Sequence, residues 1–301
     1  MVLAYLGEIA SIATSLLWSI SSSLFTVGGK RKGTFILNRL RLLGATILFL
    51  ATHLLVLGAF LPSESLYVWL LLGLSGIIGL ALGDGFLFLA YMKIGPRMSM
   101  LIMSLAPIVT TASAWILLGE TLSIFKIIGI AVTIGGVSFV IMEKRPEHHQ
   151  FKVTTMGILF AIGGMLGQAI QLVMAKEAMN HMVSENLPLS ASLIRLMWGT
   201  AAVWFVAVIG GKVAVTVRSV ADKKFILFVI LATIFGPFFG IWASYIAIQY
   251  ADLGVASTLM SLSPLFLIPI SRIVFKEKIT VVSVVGTVVA MVGVGLLFLA
   301  P

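Results

Sequence analysis

The sequence predicts an all-α integral membrane protein of about ten transmembrane helices, arranged as two inverted five-helix repeats. Three observations carry this reading: long apolar runs, a set of residues repeated at one fixed offset, and basic residues gathered on one side of the predicted membrane. Of the 301 residues, 60% are hydrophobic and 10% charged, against about 45–50% and about 25% in soluble domains. No soluble core hides that much apolar surface. A membrane-spanning helix needs about 20 apolar residues. Apolar runs bounded by charged or turn-forming residues give spans near 3–27, 33–61, 66–92, 98–118, 123–143, 154–175, 188–211, 224–250, 253–275 and 279–300. No Lys/Arg-rich leader or small-residue cleavage site precedes the first run, so the sequence predicts that it stays in the mature protein.

The most hydrophilic stretch, Glu143 to Gln150, falls near the middle and divides five spans from five. It separates a first repeat at 1–143 from a second at 154–301, with a basic linker at 144–153 between them. Ser104-Leu105-Ala106-Pro107 reappears as Ser261-Leu262-Ser263-Pro264, an offset of 157 residues (107 to 264). The same ungapped offset aligns Gly79 with Gly236, Gly83 with Gly240, Ala90 with Ala247, Met103 with Met260, Glu120 with Glu277, Gly129 with Gly286 and Gly136 with Gly293. An odd number of spans in each half makes the second enter the membrane with opposite orientation, as in alternating-access carriers.

Lys and Arg set the topology. The loops after spans 1, 3, 5, 7 and 9 carry 15 of them, whereas the opposite side has Lys126 and Lys176. The positive-inside rule then puts those five loops in the cytoplasm and both termini outside. Arg39, Arg41 and Arg195 lie within spans, read as near the basic side, where they snorkel to headgroups or bind an anionic substrate. A formal charge of +9 carried mainly by the loops is a topology signal and gives no nucleic-acid groove. The chain has no cysteine, which excludes disulfides and thiolate chemistry. It has no Walker loop, H-E-x-x-H, G-x-S-x-G or dinucleotide motif, so no cofactor or nucleotide drive is expected.

Candidate site residues are the polar groups at membrane depth, which must face protein or a watered cavity. Ser11, Ser15, Trp18, Ser19 and Ser22 form one stripe on span 1, and Gly164, Gly167, Gln168 and Gln171 share a face of span 6, with Gln168 at the position equivalent to Trp18. Either stripe lines a pathway or glues helices together. Asp84, between Gly83 and Gly85, is the one deep carboxylate. Its repeat counterpart is Ile241. A carboxylate there is a titratable group able to couple proton movement, or a structural partner for a neighbouring Arg, Trp or Tyr. Pro107 and Pro264 each remove a backbone hydrogen bond mid-span and predict kinks or unwound turns at symmetric depths, suited to gating. The expected pathway set is Trp18, Ser19, Asp84, Ser104, Gln168, Trp242, Tyr245 and Ser261. Gly79 with Gly83, and Gly236 with Gly240, read first as close helix packing.

Pro107 through Glu120 reads Pro-Ile-Val-Thr-Thr-Ala-Ser-Ala-Trp-Ile-Leu-Leu-Gly-Glu and is followed by Gly129 and Gly136. This resembles the signature of EamA-type members of the drug/metabolite transporter superfamily. In the second copy Phe275-Lys276-Glu277 replaces Leu-Gly-Glu, with Gly286 and Gly293 retained. Trp18 and the arginines of spans 2 and 7 look like that family too. The resemblance implies a ten-helix inverted-repeat carrier, often an exporter of amino acids, other metabolites or drugs, with a central cavity. Members usually have both termini cytoplasmic, against which the charge count here argues.

The sequence thus predicts a gradient-driven secondary transporter of a small-molecule substrate, embedded in the bilayer of a prokaryotic plasma membrane. Two alternatives are an intramembrane enzyme, for which His53 and Asp84 are the only available pair, and a non-transporting scaffold.

Overall fold

The computed structural model describes residues 5–142, 154–274 and 280–299. Every regular element among them is helical. The first half contains α1 (Leu6–Lys32), α2 (Thr34–Leu57), α3 (Leu66–Gly76), a π-helical segment π1 (Ile77–Gly83), α4 (Asp84–Met103), α5 (Ala106–Leu118) and α6 (Ile124–Met142). The second contains α7 (Thr155–Asn180), α8 (Leu187–Ile209), the short α9 (Val213–Ser219), α10 (Lys223–Thr233), π2 (Ile234–Phe238), α11 (Phe239–Tyr250), α12 (Leu253–Met260), α13 (Ser263–Val274) and α14 (Val281–Leu299). Six helical stretches are long and apolar enough to cross a bilayer: α1, α2, Leu66–Ala90, α7, α8 and Lys223–Tyr250. Three shorter apolar helices accompany them. The linker 144–153 lies outside the described residues, as do Phe275, Lys276 and Glu277.

Local signals set the helix starts. Ser65, Thr154, Asn186 and Asp222 each accept a hydrogen bond from a backbone N–H three residues on, at Val68, Gly157, Leu189 and Phe225, satisfying donors that a helix N-terminus leaves unpaired. Gly58 and Gly119 end α2 and α5 in the left-handed conformation, at φ 70° and 67°, which a residue with a Cβ adopts at a cost.

The repeat is visible in the irregularities. Ile77 and Ile234, which open π1 and π2, stand at the same offset of 157 as the repeated motifs. The helices also break at matching places, Ser104-Leu105 and Ser261-Leu262. In each break the bonding tightens to i→i−3: Leu105 N to Ile102 O and Ile108 N to Leu105 O in one half, Leu262 N to Leu259 O and Leu265 N to Leu262 O in the other. Pro107 and Pro264 occupy the second position of the helix that resumes, where a missing N–H forfeits nothing. Elsewhere the halves differ. Helical conformation runs on from Asp84 to Met103, across the turn expected between spans 3 and 4. At the equivalent place in the second half the chain is extended at Ala251 (φ −127°, ψ 159°).

The halves interlock. α4 packs on α7 as α1 packs on α11, while α2 pairs with α8 and α6 with α14. Glycines close the last contact. A Cβ on Gly136 would lie 2.5 Å from Ala290 N, one on Gly286 2.9 Å from Gly136 O, and one on Gly293 2.8 Å from Gly129 O. Fully buried Leu189, Leu193, Ile194 and Leu196 put α8 in the main core.

The molecule has two distinct polar ends. At one, Arg31 pairs with Asp222 at 2.7 Å and Arg39 donates to Thr216 at 3.0 Å, gathering Lys30, Lys32, Lys212, Arg218, Lys223 and Lys224 nearby in sequence. At the other, Lys126 pairs with Asp252 at 3.1 Å, Glu120 Oε2 accepts from Leu253 N at 2.8 Å, and Lys176 reaches Glu120 and the Ile248 carbonyl.

Candidate substrate site

Between the two ends, where the halves meet, the apolar interior holds a cluster of charged and amide groups. Asp84 opens α4 directly after π1. Its carboxylate accepts from Arg41 Nη2 of α2 at 3.0 Å and from Gln168 Nε2 of α7 at 3.2 Å. The Arg41 and Asp84 side chains are each 14% exposed, so the pair is shielded without being sealed. Arg41 is held further by Asn38 Oδ1 at 2.8 Å and by the Phe25 ring, 4.8 Å below its guanidinium carbon. Phe25 in turn stacks on Phe88. Gln171 donates to Gln168 Oε1 at 3.3 Å, and its backbone carbonyl accepts from Ser75.

Arg195 of α8 completes the cluster. Counted along its helix it lies about 12 Å from the Leu187 end, which adjoins the Lys176 side. The expectation that it sits near the basic side therefore fails, because α2 and α8 run from opposite ends. Its guanidinium lies 5.8 Å over the Tyr245 ring and within electrostatic reach of Asp84. Among the described residues no carboxylate comes within ion-pairing distance of it.

The repeated glycines explain how so much polar mass fits. A Cβ on Gly79 would meet Arg195 Nη2 at 2.8 Å and Gln171 at 2.9 Å, and one on Gly236 would collide with the Ser21 hydroxyl, with Arg41 at 3.7 Å. Gly83 faces Gln168 and Gly240 faces Trp18, the latter at 2.7 Å. Trp18 with Gln168, and Ser21 with Gln171, thus occupy matching places, each pair 150 residues apart, and Arg41 matches Arg195. These glycines pack helices, and what they pack against is the polar cluster.

Of the sequence-expected residues, Asp84, Gln168 and Tyr245 come together here, and Trp18 lies against the equivalent surface of α11. The others lie elsewhere. Trp242 belongs to an aromatic group with Phe49 and Phe238. Ser19 donates to the Ser15 and Ser263 carbonyls at 2.6 and 2.8 Å, joining α1 to the start of α13. Ser261 bonds to Thr258 O, and Ser104 approaches Ser138 at 3.4 Å within the break. Most stripe hydroxyls bond to their own helix, including Ser11 to Gly7 O and Ser22 to Ser19 O. Arg41 and Arg195 join the cluster from outside the expected pathway set. Their matching positions in spans 2 and 7 were the available signal. His53 is bonded to Ala59 O and Ser190, away from Asp84.

No curated protein matches the chain. One solved structure, described only as "Crystal structure of protein", superposes with a TM-score of 0.77 at 16% identity, over 96% of this chain and 95% of that one. At that identity the likeness concerns the fold. The sequence matches the EamA-like transporter family twice in succession, over residues 5–142 and 155–299. With one match for each half and nearly the whole length accounted for, the chain belongs to the EamA-like transporter family.

Proposed function

We propose that this protein is a gradient-driven secondary transporter of small organic metabolites, built as ten spans in two inverted repeats and working by alternating access around the Arg41–Asp84–Gln168 cluster. The observation that carries the reading is that cluster itself. A carboxylate and two guanidiniums at membrane depth are expensive to keep and mark substrate or ion pathways, and here both halves contribute them beside π1 and the repeated glycines. The breaks before Pro107 and Pro264 supply flexible points at equivalent depths, as expected of half-helices that rock around a midplane site. Tyr245 belongs to the cluster, and Trp18, Ser19, Ser104, Trp242 and Ser261 extend the proposed pathway away from it. The grouping of basic residues at one end supports extracytoplasmic termini in a plasma membrane. Export is the direction favoured by the family resemblance. Asp84 is the candidate for proton coupling, which requires that it part from Arg41 during the cycle.

Purified protein in proteoliposomes, given an imposed pH gradient and panels of amino acids, nucleosides, sugars and cationic drugs, tests this. Counterflow of one class is expected, with the gradient-driven component lost in Asp84→Asn. If Asp84→Asn and Gln168→Ala both transport as the parent protein does, the pathway does not run through the cluster.

A further inference from the structure

Resting on that transport reading, we infer that the substrate is a small organic anion, a carboxylate with a hydroxyl or ammonium donor beside it, and that its carboxylate pairs with Arg195. The cluster contains two guanidiniums against one carboxylate. Arg41 is fully engaged by Asp84, Asn38 and Phe25. Arg195, only 3% exposed, faces an aromatic ring, and its Nε has no hydrogen-bond partner. The repeat identifies what is missing. Where the first half places Asp84 opposite Arg41, the second places Ile241. A buried guanidinium with no carboxylate partner among the described residues is unfavourable in a low-dielectric interior, so an anion arriving there gains what an internal carboxylate would otherwise supply. A guanidinium fork matches a carboxylate with two parallel N–H···O bonds.

Two further orphans favour an organic ligand over a simple ion. Gln171 is 2% exposed and its Oε1 accepts no bond, and the fully buried Tyr245 hydroxyl, turned toward Arg195 and Ser75, has no partner at normal geometry. An amide oxygen accepts from a ligand hydroxyl or ammonium, and a phenol donates to a ligand carboxylate. The three unsatisfied groups, one cation, one acceptor and one hydroxyl, suit the polar end of a hydroxy or amino acid.

Thermal unfolding of the protein in phosphatidylcholine nanodiscs tests this, with lactate and alanine as carboxylate probes, glycerol phosphate as a phosphate probe, and lactamide and glycerol as neutral counterparts. A parallel sample containing phosphatidylglycerol separates a lipid headgroup from a free solute. Stabilisation by a carboxylate and not by its neutral counterpart is expected, weakened about tenfold or more in apparent affinity by Arg195→Gln, and partly kept by Arg195→Lys. Asp84→Asn should bind the same anion more tightly, since it removes a competing negative charge while leaving Arg195 in place. Equal stabilisation by lactate and lactamide, an effect that follows phosphatidylglycerol alone, no shift with any anion, or an anion effect untouched by Arg195→Gln each overturns the inference. Failure of the transport reading is distinguishable. Anion-specific, Arg195-dependent stabilisation with no flux of any solute leaves the site and removes the carrier, whereas flux of neutral or cationic solutes alone leaves the carrier and removes the anion.

Discussion

The first half of the molecule neutralises its buried arginine and the second half does not. Arg41 and Arg195 stand at matching places on α2 and α8, each against a repeated glycine, Gly236 or Gly79. Yet Arg41 has a carboxylate at 3.0 Å, an amide and an aromatic face, and Arg195 has an aromatic face and, among the described residues, no carboxylate partner. The amide, Asn38, comes from Arg41's own helix, whereas the carboxylate comes from the start of α4. Duplication supplied the scaffold, and divergence at 84 and 241 made the site asymmetric, which is what binding one asymmetric solute between two equivalent halves requires.

The comparison is broken most directly by supplying the missing carboxylate. In Ile241→Asp, the new side chain stands to Arg195 as Asp84 stands to Arg41. The expected result is a folded protein in which transport of the anionic substrate falls about tenfold or more, because an internal group now occupies the guanidinium. Flux unchanged in this variant would mean that Arg195 is not where the substrate binds. A second test concerns the contact between the last helices of the two halves. Gly136→Ala would push a Cβ against the backbone of Ala290 and should destabilise the protein by about 1–3 kcal/mol, read as a lowered Tm. Gly135→Ala, where a Cβ meets nothing within 4 Å, should be neutral or slightly stabilising. Equal effects of the two would show that α6 and α14 are not held by close backbone approach.

A third, smaller asymmetry lies in the glycines beside the cluster. A Cβ on Gly240 meets the Trp18 ring at 2.7 Å, whereas one on Gly83 meets Gln168 only at 3.7 Å and the Ile78 carbonyl at 3.0 Å. Gly240→Ala should lower flux several-fold by moving Trp18, and Gly83→Ala should do so less. The reverse order would put the pathway on the Gln168 side.

Fold and site were not equally legible in the sequence. Apolar runs of about 20 residues can be read directly because the bilayer fixes their length. The repeat could be read because proline, glycine and serine stand at special backbone positions, and those positions recur in three dimensions as π1 with π2 and as the two helix breaks. Asp84 and Gln168 were identifiable because isolated polar groups at depth need partners. The sequence did not identify which partners. Arg41 is 43 residues from Asp84, and only the folded arrangement, in which the Arg41 side chain of α2 reaches the start of α4, brings them together. For Arg195 the sequence leaves headgroup-seeking and anion-binding both open, and its expected place near the basic side fails because α8 starts from the opposite end. The serine stripe of α1 misled for another reason: a hydroxyl in a helix can bond to its own backbone, so polarity on one face does not require an aqueous neighbour.

The last contrast is between the two ends of the molecule, and its effect is the most modest. At the basic end Arg31, hydrogen-bonded to Asp222, holds that half-buried carboxylate below its ordinary range. At the opposite end burial pushes Glu120 up, and the Leu253 N–H and Lys176 only partly offset it, with Asp252 adding to the rise. The signs follow. A carboxylate with a raised value in the fold contributes stability below the unfolded value near 4.5, and that contribution declines as pH rises through the folded value. Glu120→Gln keeps an oxygen for Leu253 N and cannot ionise. Its melting temperature should therefore depend less on pH across mildly acidic conditions, with the parent gaining on it as pH falls. Asp222→Asn should behave oppositely, losing a contribution that the parent holds at neutral pH and gives up as pH drops through the depressed range. Lys176 and Asp252 also face Glu120, and Lys126 pairs with that Asp252, so the informative quantity is the difference between parent and variant at each pH. Superimposable profiles for Glu120→Gln and the parent would mean that the carboxylate at 120 is solvated and that this end is not sealed around it.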